Sequence, residues 1–205
     1  LRSSQAEYSH CLETLQALAL AYPKHSFSLK HNGKIKFDAQ SNIQGDNHWL
    51  RGNEYILGEP TIQQRASQIF GKELAGNLLY VCETNEYGSI EALISPPGIE
   101  KATTKNMFFF VNGRWIKEQI LRYGFLRGYH SHLLKGRYPQ VLCYLRMDPA
   151  LIDVNVHPSK TQLRFQYTDE VQGLIARAVR ERLRKGDWIN PSPEVKTFSV
   201  EDNRT

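Results

Sequence analysis

The run Met107-Phe108-Phe109-Phe110-Val111-Asn112-Gly113-Arg114 decides the expected fold. Its five consecutive apolar residues predict a short buried strand, which Asn112-Gly113 ends. A row of apolar residues and glycines at i, i+4 spacing predicts a helix after this break. The row consists of Ile116, Ile120, Gly124 and Gly128. Glycine inside a helix costs about 1 kcal/mol relative to alanine, so we expect the two glycines to let the helix approach the sheet closely.

The N-terminal part predicts a helix and a β-hairpin. Ser4 with Glu7 forms a capping box, and the apolar residues after it recur at helical spacing until Pro23. Apolar and polar residues then alternate on both sides of residues 31–33, whose sequence His-Asn-Gly is typical of a tight turn. We therefore expect a helix followed by two antiparallel strands.

The remaining sequence predicts further strands and two more helices. Thr61 and Gln64 repeat the capping-box pattern, and Gly71 ends the helix that they begin. Apolar or alternating segments predict strands near residues 78–82, 89–94, 141–145, 151–156 and 163–165. Thr168 caps a last amphipathic helix that runs to about Lys185. This order predicts an α+β fold, with helices packed on one face of a mixed β-sheet.

Composition excludes several classes of protein. The chain has 205 residues, of which 40% are hydrophobic and 23% charged, as in ordinary globular proteins and unlike collagen, coiled coils or disordered chains. No apolar run approaches the roughly 20 residues that cross a bilayer, so we expect no membrane partner. The chain begins without a methionine or a signal peptide, and we expect it to be an internal fragment of a longer protein.

The positive charge is concentrated in one segment. Residues 101–146 carry nine lysines and arginines against one acid, Glu118, although the net charge of the whole chain is only +5. Such a segment indicates either a site for a polyanion or a solvated cationic surface.

Motifs of the common enzyme classes are absent from the sequence. It contains no P-loop, no dinucleotide-binding glycine pattern, no zinc-peptidase pattern and no serine-hydrolase elbow. The histidines lack Cys, Asp or Glu partners at ligand spacing, so we expect no metal site. Three distant cysteines without a C-x-x-C pair indicate a reducing compartment.

One loop could present a lysine at a fixed point. Residues 153–160 read Asp-Val-Asn-Val-His-Pro-Ser-Lys, and Pro158 restricts His157 to extended geometry just before Lys160. A lysine held in this way suits a terminal phosphate. From these residues alone, an ordinary surface lysine remains the alternative.

Cations in and after the predicted central helix are candidates for DNA contacts. They are Arg114, Lys117, Arg122, Arg127, Lys135 and Arg137. Scattered cations of this kind contact backbone phosphates and give salt-sensitive binding that does not depend on base sequence.

Two signatures make the chain resemble a known family. Residues 109–114, Phe-Phe-Val-Asn-Gly-Arg, and residues 153–161, followed by Leu163-Arg164-Phe165, are similar to signatures of the MutL family of DNA mismatch repair proteins. Asn77-Leu78-Leu79 and the Ile94-Ser95-Pro96-Pro97 stop add to the resemblance, in the same order and at similar spacing. The resemblance covers residues 1–185.

The resemblance implies a domain division. Residues 1–57 would be the C-terminal piece of an ATPase domain of the type shared with DNA gyrase, here a helix and a hairpin. Residues 58–185 would be a transducer domain with the fold of a ribosomal protein's second domain, and residues 186–205 the start of a flexible linker. Lys160 would contact the γ-phosphate of ATP bound in the ATPase domain.

Further implications concern the whole protein rather than this segment. The family's ATP-pocket motifs would lie upstream of Leu1 and its endonuclease motif, where a member has one, downstream of Thr205. This fragment would therefore not be an enzyme or hold a cofactor, whereas the whole protein would be a weak ATPase that uses ATP and Mg. Gln119 stands where family members often have another basic residue, which implies a weaker or shifted DNA contact.

The resemblance also implies partners and a location. They would be DNA, a MutS-type mismatch sensor and a second MutL protomer, in a homodimer, in the bacterial cytoplasm. The alternative is the transducer of a type II topoisomerase, which would carry a Q-T-K-type loop in place of residues 155–160.

Overall fold

The computed structural model describes residues 4–41, 57–157 and 160–189 of the chain. The helices in this part are α1 (Ser4–Ala21), α2 (Glu59–Phe70), α3 (Lys72–Gly76), α4 (Gln119–Tyr129) and α5 (Thr168–Arg184). The strands are β1 (Phe27–His31), β2 (Lys34–Ala39), β3 (Leu79–Asn85), β4 (Gly88–Ile94), β5 (Glu100–Lys101), β6 (Met107–Val111), β7 (Arg114–Ile116), β8 (Tyr138–Pro139), β9 (Val141–Arg146), β10 (Ile152–His157) and β11 (Lys160–Phe165). The predicted first helix, first hairpin and last helix are confirmed. The predicted cap of the last helix is wrong, because Tyr167 rather than Thr168 is at the N-cap and makes no side-chain hydrogen bond there. Most of the predicted linker, residues 190–205, lies outside the described residues.

A mixed five-stranded sheet forms the centre of the fold, with strand order β3-β4-β9-β6-β7. β6 and β9 are parallel, and Met107 pairs with Val141 at one end of the two strands while Val111 pairs with Leu145 at the other. The other neighbouring strands of this sheet are antiparallel. The α+β class and the mixed sheet are confirmed.

The helices α4 and α5 cover one face of this sheet, as the sequence predicts. Leu121 and Phe125 of α4, together with Ile175 and Val179 of α5, are fully buried against sheet residues such as Phe109. A row of large apolar side chains on each helix therefore drives the packing of the helical layer.

A second helical layer covers the opposite face. Leu20 of α1, Ile62 of α2 and Ala75 of α3 are buried with Phe108 and Phe110, which point away from α4 and α5. Because successive residues of a strand face opposite sides, the apolar run at 107–111 could be buried only if both faces were covered. The structure thus adds a second layer to the single one expected.

The start of α4 differs from the sequence prediction. Residues 114–116 form the edge strand β7, and α4 begins only at Gln119. Asn112 and Gly113 have φ values of 47° and 79°, which is the backbone of a two-residue hairpin turn. The break therefore folds the chain back onto β6, with Val111 opposite Arg114.

The glycines of α4 contact α5 rather than the sheet, which corrects their expected role. A Cβ atom on Gly124 would lie 3.1 Å from Cβ of Ile175, and one on Gly128 would lie 2.5 Å from Cβ of Val179. Later residues of α4 therefore contact later residues of α5. The two helices run parallel and in close contact.

The predicted capping box of α2 is also wrong. The helix begins at Glu59, two residues before Thr61, and Gly58 at its N-cap has no side-chain hydrogen bond. A buried carboxylate from the sheet caps it instead: Glu91 accepts hydrogen bonds from the backbone N–H groups of Leu57 (2.8 Å) and Gly58 (2.7 Å). The anion satisfies the N–H groups of the N-cap residue and of the residue before it, and it lies at the positive end of the helix dipole.

Polar contacts in the second layer connect the N-terminal helix to the rest of the fold. Arg65 of α2 is 2% exposed and donates hydrogen bonds to the carbonyl oxygens of Pro23 and His25. The Tyr144 hydroxyl of β9 donates to the Leu20 carbonyl of α1 over 2.8 Å. The elements on either side of residues 42–56 are thus joined by buried hydrogen bonds.

Candidate functional site

The strands β10 and β11 form a separate antiparallel ribbon that carries Lys160 at one end. Lys160 begins β11 and pairs with His157, whereas Phe165 at the other end pairs with Ile152. Leu163 and Phe165 are buried in the core between the sheet and α4 and α5, and they fix the base of the ribbon. Residues 158 and 159, and the side chain of Lys160, lie outside what the structure describes, so the phosphate contact stays a prediction.

A carboxylate at the start of α4 holds the ribbon in place. Oε1 of Glu118 accepts a hydrogen bond of 3.1 Å from the backbone N–H of Leu163. Glu118 is the one acid of the basic segment, and this contact gives it a structural role that its sequence position did not indicate. The base of the ribbon therefore lies beside the N-terminus of α4.

Three of the six predicted DNA-contacting cations lie on the β7 side of the sheet. Arg114 begins β7 and is exposed, Lys117 follows the strand, and Arg122 lies on α4. Arg122 precedes Gly124 by two residues, which places it about 160° around the helix from the contact with α5. It therefore belongs to the side of α4 that faces away from α5.

Lys117 is already engaged by two groups of the protein. Its Nζ lies 2.8 Å from Oε1 of Glu13 on α1 and 4.4 Å from the centre of the Trp115 ring. The side chains of Lys117 and Glu13 are 55% and 33% exposed, so this ion pair contributes little stability. It does reduce the charge that Lys117 can offer to a polyanion.

The other three predicted cations lie toward the opposite end of the sheet. Arg127 is in the last turn of α4, and Lys135 and Arg137 are exposed in the segment before β8. The hydroxyl of Tyr129, at the end of α4, donates a hydrogen bond to the carbonyl of Ser95. Ser95 is itself hydrogen-bonded to the residue just before β9. At about 3.3 Å per residue, the five-residue strand β6 separates this end of the sheet from the end at Arg114 by about 13 Å. The six cations do not form one cluster.

A cleft beside Arg114 contains further cations that the sequence reasoning missed. The cleft has a volume of about 1030 Å³, and Lys24, Arg114 and Arg146 line it together with the acids Glu86 and Asp148. Partial burial lowers the pKa of Arg146. Arg146 ends the otherwise apolar strand β9, and this pattern in the sequence could have identified it as a candidate.

The buried polar residues were missed as well. Glu91 is 4% exposed and, besides capping α2, accepts a hydrogen bond of 2.8 Å from the Tyr80 hydroxyl. Burial and then this hydrogen bond raise the pKa of Tyr80 above its usual range. One signal existed in the sequence, since Glu91 interrupts the apolar run 90–94.

The described residues carry neither a cluster of metal ligands nor a helix that could span a membrane. In residues 4–41, 57–157 and 160–189, no three His, Cys, Asp or Glu residues group closely enough to hold a metal ion. Across the same residues, none of the helices combines the length and the hydrophobicity that crossing a bilayer requires.

Comparison with known proteins identifies the family. The family model described as "DNA mismatch repair protein, C-terminal domain" matches residues 66–184, which is more than half of the chain. The chain belongs to the MutL family of DNA mismatch repair proteins. This confirms the resemblance of the two signatures and decides against the topoisomerase alternative.

Bacterial MutL proteins align with nearly the whole chain. The DNA mismatch repair protein MutL of Opitutus terrae is 32% identical over 95% of the chain. MutL of Syntrophotalea carbinolica is 31% identical over 98%, and MutL of Anoxybacillus flavithermus is 32% identical over the full chain. The chain spans only 29% to 30% of the length of these relatives.

Solved structures of DNA repair proteins, among them a MutL ATPase domain, share the fold. The N-terminal domain of a DNA repair protein superposes with a TM-score of 0.66 at 18% identity, over 89% of this chain and 55% of that one. The Aquifex aeolicus MutL ATPase domain complexed with ADP gives a TM-score of 0.51 at 16% identity, over 86% and 50% of the two chains. These identities support the fold alone.

Proposed function

We propose that this chain is the transducer module of a MutL-type mismatch repair protein, together with the C-terminal piece of its ATPase domain. In this proposal residues 1–57 belong to the ATPase domain, residues 58–185 to the transducer and residues 186–205 to a linker. Membership of the MutL family supports this division. The observation that carries the proposal is the ribbon β10–β11, which is buried at its base and has Lys160 at its other end.

The first part of the function is to sense ATP. Lys160 contacts the γ-phosphate of ATP in the complete ATPase domain, as a compact point charge that one ribbon delivers from outside that domain. ATP then binds best when the ribbon is docked, so ATP selects the closed arrangement of the two domains. The transducer thereby couples ATP binding to closure of a clamp and to downstream repair factors.

The second part of the function is to contact DNA. Arg114, Lys117, Arg122, Arg127, Lys135 and Arg137 provide cations for backbone phosphates. Their spread over both ends of the sheet suits an extended polyanion better than a small ligand. At the β7 end, Arg114 is a stronger candidate than Lys117, because Arg114 is exposed and the structure pairs Lys117 with Glu13.

The whole protein would supply the remaining parts. We expect ATP and Mg to bind mainly to residues outside this chain, whose described part offers no metal-ligand cluster. The partners would be a MutS-type mismatch sensor and a second MutL protomer in a homodimer, in the bacterial cytoplasm. By itself the chain would be a regulatory and DNA-contacting module rather than an enzyme.

Lys160→Ala in the full-length protein tests the ATP-sensing role. We expect steady-state ATP turnover to fall by about tenfold or more, because a charge that stabilises the transferring phosphoryl group is lost. Lys101→Ala, at an exposed position on β5, is the matched control and should leave turnover unchanged. Wild-type turnover in a correctly folded Lys160→Ala protein would refute this role.

A further inference from the structure

The outer face of α5 carries a row of arginines that the sequence reasoning left unassigned. Arg177, Arg180 and Arg184 are exposed and follow one another at i, i+3 and i+7. They therefore share one side of the helix over about 10 Å, at about 1.5 Å per residue. Glu181 is the single acid among them, and its carboxylate pairs with Arg184 at 2.8 Å.

The packing of the two helices shows which arginine of this row lies nearest to α4. Gln172 of α5 donates a hydrogen bond of 3.3 Å to the Ile120 carbonyl, and Gly128 lies against Val179 and the Ala176 carbonyl. Arg180 follows Ala176 by one helical turn, and its Nε donates to the Ala176 carbonyl over 3.2 Å. Arg180 is thus the exposed α5 cation that lies nearest to α4.

Arg127 lies on the matching side of α4. It follows Gly124 by three residues, which places it about 60° around the helix from the contact with α5. Arg122, at about 160°, lies on the other side. The structure therefore groups Arg127 with the arginines of α5 rather than with the cations near β7.

Most of these charges are not neutralised within the protein. Among the residues that the structure describes, Arg127, Arg177 and Arg180 form no ion pair with an acid. Arg182 of the same helix differs, because it pairs with Asp187 at 2.6 Å and donates to the Tyr80 carbonyl. Its role is structural, and it does not belong to the exposed row.

We propose that the outer face of the α4–α5 pair binds the phosphate backbone of double-stranded DNA through Arg127, Arg177, Arg180 and Arg184. This inference deepens the proposed DNA-contacting function and rests on it. Duplex DNA carries one negative charge per about 1.7 Å of its axis, so a row of about 10 Å faces several phosphates at once. Guanidinium groups bind phosphates in a bidentate manner, and backbone contacts require no particular base sequence.

The composition of this face favours DNA over an acidic protein. Protein interfaces usually have an apolar centre that excludes water. On the described part of this face, the large exposed apolar side chain is Tyr123 of α4, and the neighbouring exposed positions of α5 are charged. A charged face of this kind suits a hydrated polyanion.

The double variant Arg177→Ala/Arg180→Ala tests the inference in the 205-residue chain. The protein would be titrated into a labelled random-sequence duplex at several salt concentrations, and binding would be followed by fluorescence anisotropy. Circular dichroism would check the helix content of each variant. Loss of two phosphate contacts should reduce the slope of log K against log salt by about 1.8 and weaken binding on the order of tenfold near 0.15 M salt. Lys34→Ala/Lys36→Ala removes two exposed cations from β2 and is the control with the same change in charge. This control should change the slope much less.

Other outcomes would overturn the inference. If Arg114→Ala weakens binding but Arg177→Ala/Arg180→Ala behaves like the β2 control, the DNA-contacting function stands and the α4–α5 surface does not. If the wild-type chain binds no duplex even at low salt, both fail. If the α5 variant leaves duplex binding unchanged and loses binding to poly-L-glutamate, the surface recognises acidic protein instead.

Discussion

At the scale of single residues, Glu91 is the buried carboxylate that joins the central sheet to the start of α2. It accepts hydrogen bonds from Leu57, Gly58 and Tyr80. Those partners come from other elements, and three hydrogen bonds to one buried anion offset the cost of its burial. The role of Asn112-Gly113 as a break was predictable, because these residue types favour positive φ values.

Glu91→Ala should destabilise the fold substantially. Two backbone N–H groups and the Tyr80 hydroxyl would lose their acceptor in a buried site, at a cost of about 3 kcal/mol in the free energy of unfolding. Glu91→Gln keeps one acceptor oxygen and should cost about half as much. Urea unfolding followed by circular dichroism measures both values. Equal stability of Glu91→Ala and the wild type would show that Glu91 does not hold the start of α2.

At the scale of elements, the sequence predicts long amphipathic segments well and short ones poorly. The helices α1 and α5 and the hairpin β1–β2 repeat their apolar pattern several times, so their patterns are unambiguous. The strand β7 has three residues and the helix α3 five, and their structure depends on pairing with β6 and packing under α2. The glycines of α4 indicated a close approach, but only the fold identifies α5 as the neighbour.

Gly128→Ala and Gly173→Ala should have opposite effects. In α4 the added methyl group would meet Val179 at 2.5 Å, and overpacking of this kind costs about 1–3 kcal/mol, more than alanine gains in helix propensity. At Gly173 in α5, none of the neighbouring heavy atoms in the described part of the chain lies within 4 Å of the new methyl group, so alanine should stabilise the helix by about 0.5–1 kcal/mol. Thermal unfolding of the two variants compares these effects. A stabilising Gly128→Ala would contradict the parallel contact of α4 and α5.

At the scale of the whole molecule, the layers follow from contacts between distant parts of the chain. The α+β class was predictable from the order of helices and strands, whereas the second helical layer was not. It depends on contacts such as Tyr144 with Leu20 and Lys117 with Glu13, which lie more than 100 residues apart in sequence. The same reason explains why the cations of one basic segment separate into two groups on the surface, one near Arg114 and one toward the opposite end of the sheet.

The proposed function depends on contact between this chain itself and DNA. Fluorescence anisotropy of the 205-residue chain with a labelled duplex, from low to physiological salt, tests it most directly. Arg114→Glu is the informative variant, because reversing the charge of Lys117 would place a second carboxylate beside Glu13. Lys36→Glu on β2 is the matched control. We predict binding that weakens steeply with salt and that Arg114→Glu reduces far more than Lys36→Glu does. No binding at low salt would contradict DNA contact by this chain, and equal effects of the two variants would exclude Arg114 from that contact.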